Sequence, residues 1–208
     1  MVAIVDYGVG NLFSLESSFA AIGAEAVVTA DPAVLKKADQ IILPGVGAFE
    51  DAAKKLRATG LDKVLKDLTA AGKPLMGICL GMQMLFEKSY EYGEHEGLGL
   101  IPGSVVPISD TIPADLKIPH IGWNALHIRQ ESPLWRYIKP EDCVYFVHSY
   151  YAAQCDEYVI ATAEYGSELT AAVAHNNVYG CQFHPEKSGT VGLNILRAFV
   201  ELKEETQC

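Results

Sequence analysis

The sequence predicts an α/β protein in three layers: a mostly parallel central sheet flanked by helices, with an antiparallel or mixed β extension. Three observations carry this. Up to about residue 90, short continuous apolar runs alternate with segments whose apolar residues recur at helical spacing. Those runs are near-continuously apolar, as strands buried on both faces are, and such strands occur in parallel sheets covered by crossover helices. Beyond about Gly97, prolines and glycines become frequent and the apolar stretches become short and β-rich.

The elements follow in order. Residues 2–5 form a short apolar run, and Tyr7-Gly8-Val9-Gly10-Asn11 turns the chain. Leu12, Leu15, Phe19 and Ile22 then recur at helical spacing. Residues 25–29 are strand-like. Asp31-Pro32 suits a helix start, with a capping carboxylate and a proline at the first position. Residues 40–44 read as a buried strand, followed by Gly45-Val46-Gly47 and a helical pattern over 48–71. Residues 74–78 predict a strand and 80–86 a helix. In the second half, strands are expected at 104–108, 125–128, 143–151, 158–165, 169–174 and 178–183. A closing helix over 190–202 carries Val191, Ile195, Phe199 and Leu202 on one face, and the polar tail at 203–208 is expected to fray. No linker or repeat interrupts the pattern, so residues 1–208 are expected to form one domain.

Composition narrows the function. The chain has 208 residues, half of them hydrophobic and 20% charged, which is a globular composition able to bury a sizeable core. Its 26 acidic and 16 basic residues leave a net charge of -10, with no electrostatic footprint for nucleic acid or an anionic membrane. No apolar run is long enough to span a bilayer, and the first residues lack the basic stretch of a signal peptide. Five widely spaced cysteines without a Cys-x-x-Cys pair argue against a disulfide framework or a cysteine-rich zinc site, and for a reducing cytoplasm.

Two glycine loops follow strands but do not complete a nucleotide fingerprint. After Gly8-x-Gly10 the third glycine position holds Phe13, and after Gly45-x-Gly47 it holds Glu50. Tight turns at strand ends explain both. The backbone N–H groups near Gly45–Gly47 are also placed to face an oxyanion.

Gly77-Ile78-Cys79-Leu80-Gly81 is the cysteine version of a nucleophile elbow, in which a strand ends, a nucleophile sits on a sharp turn and a helix begins at once. The flanking glycines leave room for the turn. The N–H groups of the helix start favour a thiolate, and the Leu80 N–H is placed to bind an oxyanion. A buried structural cysteine between packing glycines would also fit this motif alone. The second piece is Phe183-His184-Pro185-Glu186, which ends the last β run. In a parallel sheet both segments can reach the carboxyl edge, where open α/β folds place their sites. His184 can take the thiol proton, and Glu186 can hold the imidazole in the useful tautomer.

The blocks Gly-Ile-Cys-Leu-Gly-Met-Gln at Gly77–Gln83 and Gln-Phe-His-Pro-Glu-Lys-Ser at Gln182–Ser188 resemble the class I glutamine amidotransferases. Five further blocks start at Asp6, Pro44, Gly97, Pro119 and Tyr145 and extend the likeness over nearly the whole chain. They resemble one branch of that family, the glutaminase subunits of imidazole glycerol phosphate synthase. Met82, where other branches often carry His, points the same way. Gly189 departs from the pattern, which would place Gln there.

The resemblance implies hydrolysis of glutamine to glutamate and ammonia through a Cys79 thioester, with His184 and Glu186 completing the triad and no metal or organic cofactor. It implies an oxyanion site from Leu80 and the Gly45–Val46 segment. It places Gly47, Gln83 and Glu91 against the glutamine, supported by the backbone of His148, Ser149 and Tyr150. It also implies a (β/α)8-barrel cyclase subunit as heterodimeric partner in histidine biosynthesis, with Asn11, Trp123 and Lys187 at the interface. Alternatives at this stage are a glutaminase of another pathway, such as a surface-sugar paralogue, a cysteine peptidase of the same fold and a non-catalytic scaffold.

Overall fold

The structure, a computed structural model, describes residues 1–205. Strand β1 (Val2–Val5) is followed by helix α1 (Leu12–Ala21), β2 (Ala26–Thr29), α2 (Pro32–Lys37) and β3 (Gln40–Gly45). Helices α3 (Phe49–Ala58) and α4 (Leu61–Ala70) lead to β4 (Leu75–Cys79), the one-turn helix α5 (Leu80–Gln83), and β5 (Phe86–Ser89). The second half contains β6 (His95–Glu96), β7 (Ile101–Pro107), β8 (His120–Ala125), β9 (His127–Ile128), β10 (Cys143–His148) and β11 (Tyr150–Ala153). It closes with β12 (Val159–Glu164), β13 (Glu168–His175), β14 (Val178–Cys181) and α6 (Gly189–Glu205).

The main sheet has eight strands in the order β2-β1-β3-β4-β14-β13-β12-β9. The first five pair in parallel and the last three antiparallel, so the expected mixed extension is present. The strands alternate as doubly covered strands must. Ala3, Val5, Ile41 and Leu43 face Leu35, Phe49, Leu56 and Leu65 of α2, α3 and α4. Val2, Ile4, Ile42, Met76 and Ile78 face Leu15, Phe19, Ile195 and Phe199 of α1 and α6. The predicted cap on α2 is formed: the Asp31 carboxylate accepts from the Ala33 N–H at 2.8 Å.

Several boundaries differ from expectation. The helical stretch expected over 48–71 is two helices, parted at Gly60, whose φ of +73° is left-handed. The helix expected over 80–86 stops after one turn, because Phe86 begins β5 and pairs in parallel with Ile101 of β7. Every residue from Leu80 to Phe86 is buried, so the apolar pattern carried no helical period to fix its end. The run expected at 143–151 divides at Ser149: β10 pairs with β8, and β11 with β7. The extension is therefore three assemblies: the antiparallel half of the main sheet, a ribbon β10-β8, and a small sheet β11-β7-β5-β6. Residues 203–205 complete the backbone of α6, and the rest of the tail expected to fray, 206–208, lies outside the described residues. Among the described residues no helix is long and apolar enough to cross a membrane.

The sheet order places the carboxyl ends of β3, β4 and β14 side by side, with Gly45 in register with Cys79. Helix α5 lies close on these strands, and glycine makes that approach possible. A Cβ on Gly81 would sit 1.9 Å from the Leu43 carbonyl oxygen, a main-chain atom that cannot rotate away. Gly81→Ala is expected to destabilise the fold by more than about 4 kcal/mol, the range of severe backbone clashes. Gly72→Ala, also at a positive φ but with nothing within 4 Å, is the control and should cost about 1 kcal/mol. Thermal melting of both variants checks this, and equal melting temperatures would refute the close-packing argument.

Candidate active site

Cys79 ends β4 with φ 55° and ψ −114°, a conformation rare for a residue with a side chain. The strand cannot continue and α5 starts at once, so the thiol is presented at the sheet edge. Because α5 has only one turn, its macrodipole is small, and the N–H groups of that turn remain as the local help for a thiolate.

His184 comes from the end of the neighbouring strand. After β14, the Gln182 N–H bonds to the Ala171 carbonyl at 2.8 Å and the His184 N–H to the Tyr145 carbonyl at 2.9 Å, fixing the path of the chain. Pro185–Lys187 form a 3-10 turn, and the Ser188 hydroxyl donates to the His184 carbonyl at 2.6 Å. Within this turn His184 Nδ1 lies 2.8 Å from Glu186 Oε1. A carboxylate only accepts, so Nδ1 carries the proton and Nε2 is left for the thiol. Both side chains are almost fully buried, 3% and 1% exposed. Burial alone would lower the His184 pKa, but contacts with Cys79 and Glu186 outweigh it and raise the pKa to about 9. The imidazolium is therefore the stable form beside the sulfur at neutral pH. Glu186 Oε2 is buried without a hydrogen-bond partner.

Cys79 and His184 border a cavity of about 320 Å³, room for a small molecule. Val46, Gly47, Leu80, Gln83, Glu91 and the segment His148–Tyr150 also line it. Gly45 is buried behind Val46 and does not line it. Gly47 has φ +89° and Val46 is exposed, so the loop between β3 and α3 borders the cavity as an open turn. Tyr7 supports that loop by donating its hydroxyl to the Pro44 carbonyl at 2.7 Å, and burial, its largest influence, raises the phenol's pKa.

Gln83 is more committed than expected. Its amide nitrogen donates to the Tyr150 carbonyl and to Gln182 Oε1, both at 3.0 Å, leaving its oxygen for a ligand. Glu91 accepts from the Phe49 N–H at the start of α3 at 2.5 Å and keeps its second oxygen. Trp123 and Lys187 meet on one exposed face through Tyr145: the indole lies 5.8 Å from that ring and the ammonium 5.9 Å. Ile121, on the same strand as Trp123, is also exposed. Asn11 is half-buried at the start of α1, beside Gly10, which packs against Pro44. Gly189, the departure from the family pattern, has φ +57° with open space around it, a geometry natural to glycine.

Sequence reasoning assigned no role to Gln182, whose amide lies 3.8 Å from Cys79 Sγ and which links the nucleophile to Gln83. It also passed over His120 and Asn124, which bond to each other behind the cavity wall. The signal for all three was their place within the motif blocks at 182–188 and 119–124.

Residues 3–202 match the family described as glutamine amidotransferase class-I. The protein named imidazole glycerol phosphate synthase subunit HisH from Lactococcus lactis is 48% identical over 96% of this chain and 98% of its own. The protein of the same name from Sulfurimonas denitrificans is 50% identical over 98% of this chain and 99% of its own. The solved structure of PurLQS from Thermotoga maritima has a TM-score of 0.73 at 20% identity, covering 97% of each chain, which is a likeness of fold.

Proposed function

The chain belongs to the class-I glutamine amidotransferase family, and on that premise we infer that it is the glutaminase subunit of an imidazole glycerol phosphate synthase. The observation that carries this is the meeting of Cys79 and His184 at one cavity, with Glu186 2.8 Å from His184, in a chain nearly half identical to those subunits along its whole length.

The Cys79 thiolate attacks the side-chain amide carbon of glutamine. The oxyanion is bound by the Leu80 N–H and the Gly45–Val46 segment. The His184 imidazolium gives its proton to the leaving nitrogen, and ammonia departs from a γ-glutamyl thioester. His184, now neutral, deprotonates a water that attacks the thioester, releasing glutamate and restoring the ion pair. Glu186 keeps Nδ1 protonated throughout. Gln83 offers its amide oxygen and Glu91 its carboxylate to the amino-acid head group, and Gly47 and the backbone at His148–Tyr150 complete the wall. No cofactor enters this chemistry. Residues 1–208 act as one glutaminase domain.

Ammonia is mostly protonated at neutral pH and diffuses away, so its source works best when docked on its consumer. The partner is a (β/α)8-barrel cyclase that receives ammonia for histidine biosynthesis in the cytoplasm. The face bearing Asn11, Trp123 and Lys187 is where it docks, and exposed Trp and Ile side chains support this. Unpaired cysteines at 79, 143, 155 and 181 suit a reducing compartment.

The glycines on both sides of Val46 let its peptide flip at little steric cost, and the partner favours the orientation that donates to the oxyanion. Losing one such donor costs about 10²–10³ in rate. Glutamine turnover is therefore expected to rise by about that factor from the free chain to the complex with its cyclase ligand. Equal rates in the free chain, the complex and the liganded complex would refute this gating. Absence of turnover in all three would refute the glutaminase reading.

A further inference from the structure

Two buried histidines join the cavity wall to β8. His148 Nδ1 lies 2.9 Å from the Tyr150 carbonyl, and His148 Nε2 lies 3.1 Å from His120 Nδ1. His120 Nε2 lies 2.7 Å from Asn124 Oδ1, while the Asn124 amide donates to the Glu164 carbonyl at 2.9 Å. On the inner side, the same Tyr150 carbonyl accepts from Gln83, which donates to Gln182, whose amide faces Cys79. The line of polar contacts runs unbroken from the exposed ribbon to the nucleophile.

Counting protons exposes a misfit. The Tyr150 carbonyl and Asn124 Oδ1 only accept, so three N–H protons are needed to satisfy the three contacts of the two rings. Two neutral imidazoles supply two. A third proton would make a buried cation. Burial lowers both pKa values, His148 to about 3, and the nearby His184 adds repulsion, against weaker help to His120 from Asn124 and Glu164. At neutral pH the pair is thus uncharged, and one contact sets lone pair against lone pair. His120 cannot turn aside, because its ring is stacked 4.1 Å from Tyr165 and 5.1 Å from Phe146. With that ring plane held, proton placement and the Asn124 amide are free to adjust.

With both end contacts kept, bare His148 Nε2 and His120 Nδ1 face each other at 3.1 Å, and moving the misfit off the rings gives an inner and an outer solution. In the inner one, His148 presents a bare Nδ1 to the Tyr150 carbonyl and the cavity wall loses a bond. In the outer one, the Asn124 amide turns so that its nitrogen donates to His120. Then Asn124, His120 and His148 all donate inward, and the Tyr150 carbonyl keeps its proton. The cost moves to Asn124 Oδ1, which faces the Glu164 carbonyl unless a donor meets it. Alternation along β8 turns His120 and Asn124 away from the outward Ile121 and Trp123, but Asn124 is only half-buried and its contact with the Glu164 carbonyl is exposed, so a partner donor reaches its amide at the rim of the ribbon.

We propose that His120, Asn124 and His148 are positioning residues of the glutaminase: a tautomer relay in which a partner on β8 supplies a hydrogen-bond donor to Asn124, turns its amide and thereby fixes the Tyr150 carbonyl against the glutamine pocket. This rests on the reading of the chain as a glutaminase docked through β8, and it adds the specific residues by which docking reaches the substrate.

The test uses Cys79→Ala as background, so that glutamine binds without turning over, and measures its dissociation constant by calorimetry for the free chain and the cyclase complex. Binding is expected to tighten about tenfold on complex formation, the effect of one buried hydrogen bond. With Asn124→Ala, or with His120→Phe, which keeps the stacked ring, the partner should no longer tighten it, and the double variant should behave like either single one. Ring-nitrogen NMR adds a readout that a purely structural role would not move: His148 Nδ1 should shift to the protonated position on complex formation. A tightening that survives in both variants, or His148 nitrogens that do not shift, overturns the relay alone. A complex and free chain that both fail to bind glutamine overturn the relay together with the glutaminase reading.

Discussion

Cys79→Ala is expected to abolish glutamine hydrolysis, lowering kcat by at least about 10⁴-fold, the scale seen when the nucleophile of a catalytic unit is removed. The fold should persist, because alanine keeps the Cβ and the backbone at φ 55° is no more strained for it than for cysteine. The other described cysteines cannot substitute. Burial holds Cys155 at a pKa of about 11 and pushes Cys181 up as well, so both stay protonated at neutral pH. Cys143 is exposed at the start of β10 and donates to the Glu141 carbonyl, and it does not line the cavity. With ammonium salts supplied, the variant in complex with the cyclase should still form product, since the acceptor site needs only the nucleophile. Glutamine-dependent product from Cys79→Ala would show that the nucleophile lies elsewhere.

His184→Ala is expected to cost a similar factor, and Glu186→Gln about a hundredfold less, because glutamine can still accept from Nδ1. The two residues act as one unit through a 2.8 Å contact. The double variant should therefore be little worse than His184→Ala, and fully multiplicative losses would refute a shared unit. Glu186→Gln also carries a pH signature. The carboxylate favours the imidazolium and helps raise its pKa to about 9, so removing the charge lowers that pKa. In the wild-type complex, kcat/KM should fall as pH rises through about 9, where the His184 imidazolium loses its proton. In Glu186→Gln this alkaline limb should move to lower pH. A limb that stays in place would mean that Glu186 does not set the protonation of His184.

The sequence by itself determined the layered α/β class and singled out Cys79, His184 and Glu186, the groups proposed to perform the chemistry. These features are local. A fully buried strand is apolar almost throughout, an elbow needs glycines beside its nucleophile, and His184 and Glu186 are held together by a single turn. The tertiary structure decided what depends on which strands become neighbours. The order β3-β4-β14 brings the Val46 loop, Cys79 and His184 to one edge. The split of residues 143–153 between two sheets aims His148 and Tyr150 at the cavity from either side of Ser149. The contacts of Gln83 with Gln182 and of His120 with His148 join residues far apart along the chain. A one-residue change of strand register would turn each of these side chains to the opposite face. Their hydrogen bonds thus follow from pairing across strands, which burial and packing of the whole chain select and no local pattern encodes.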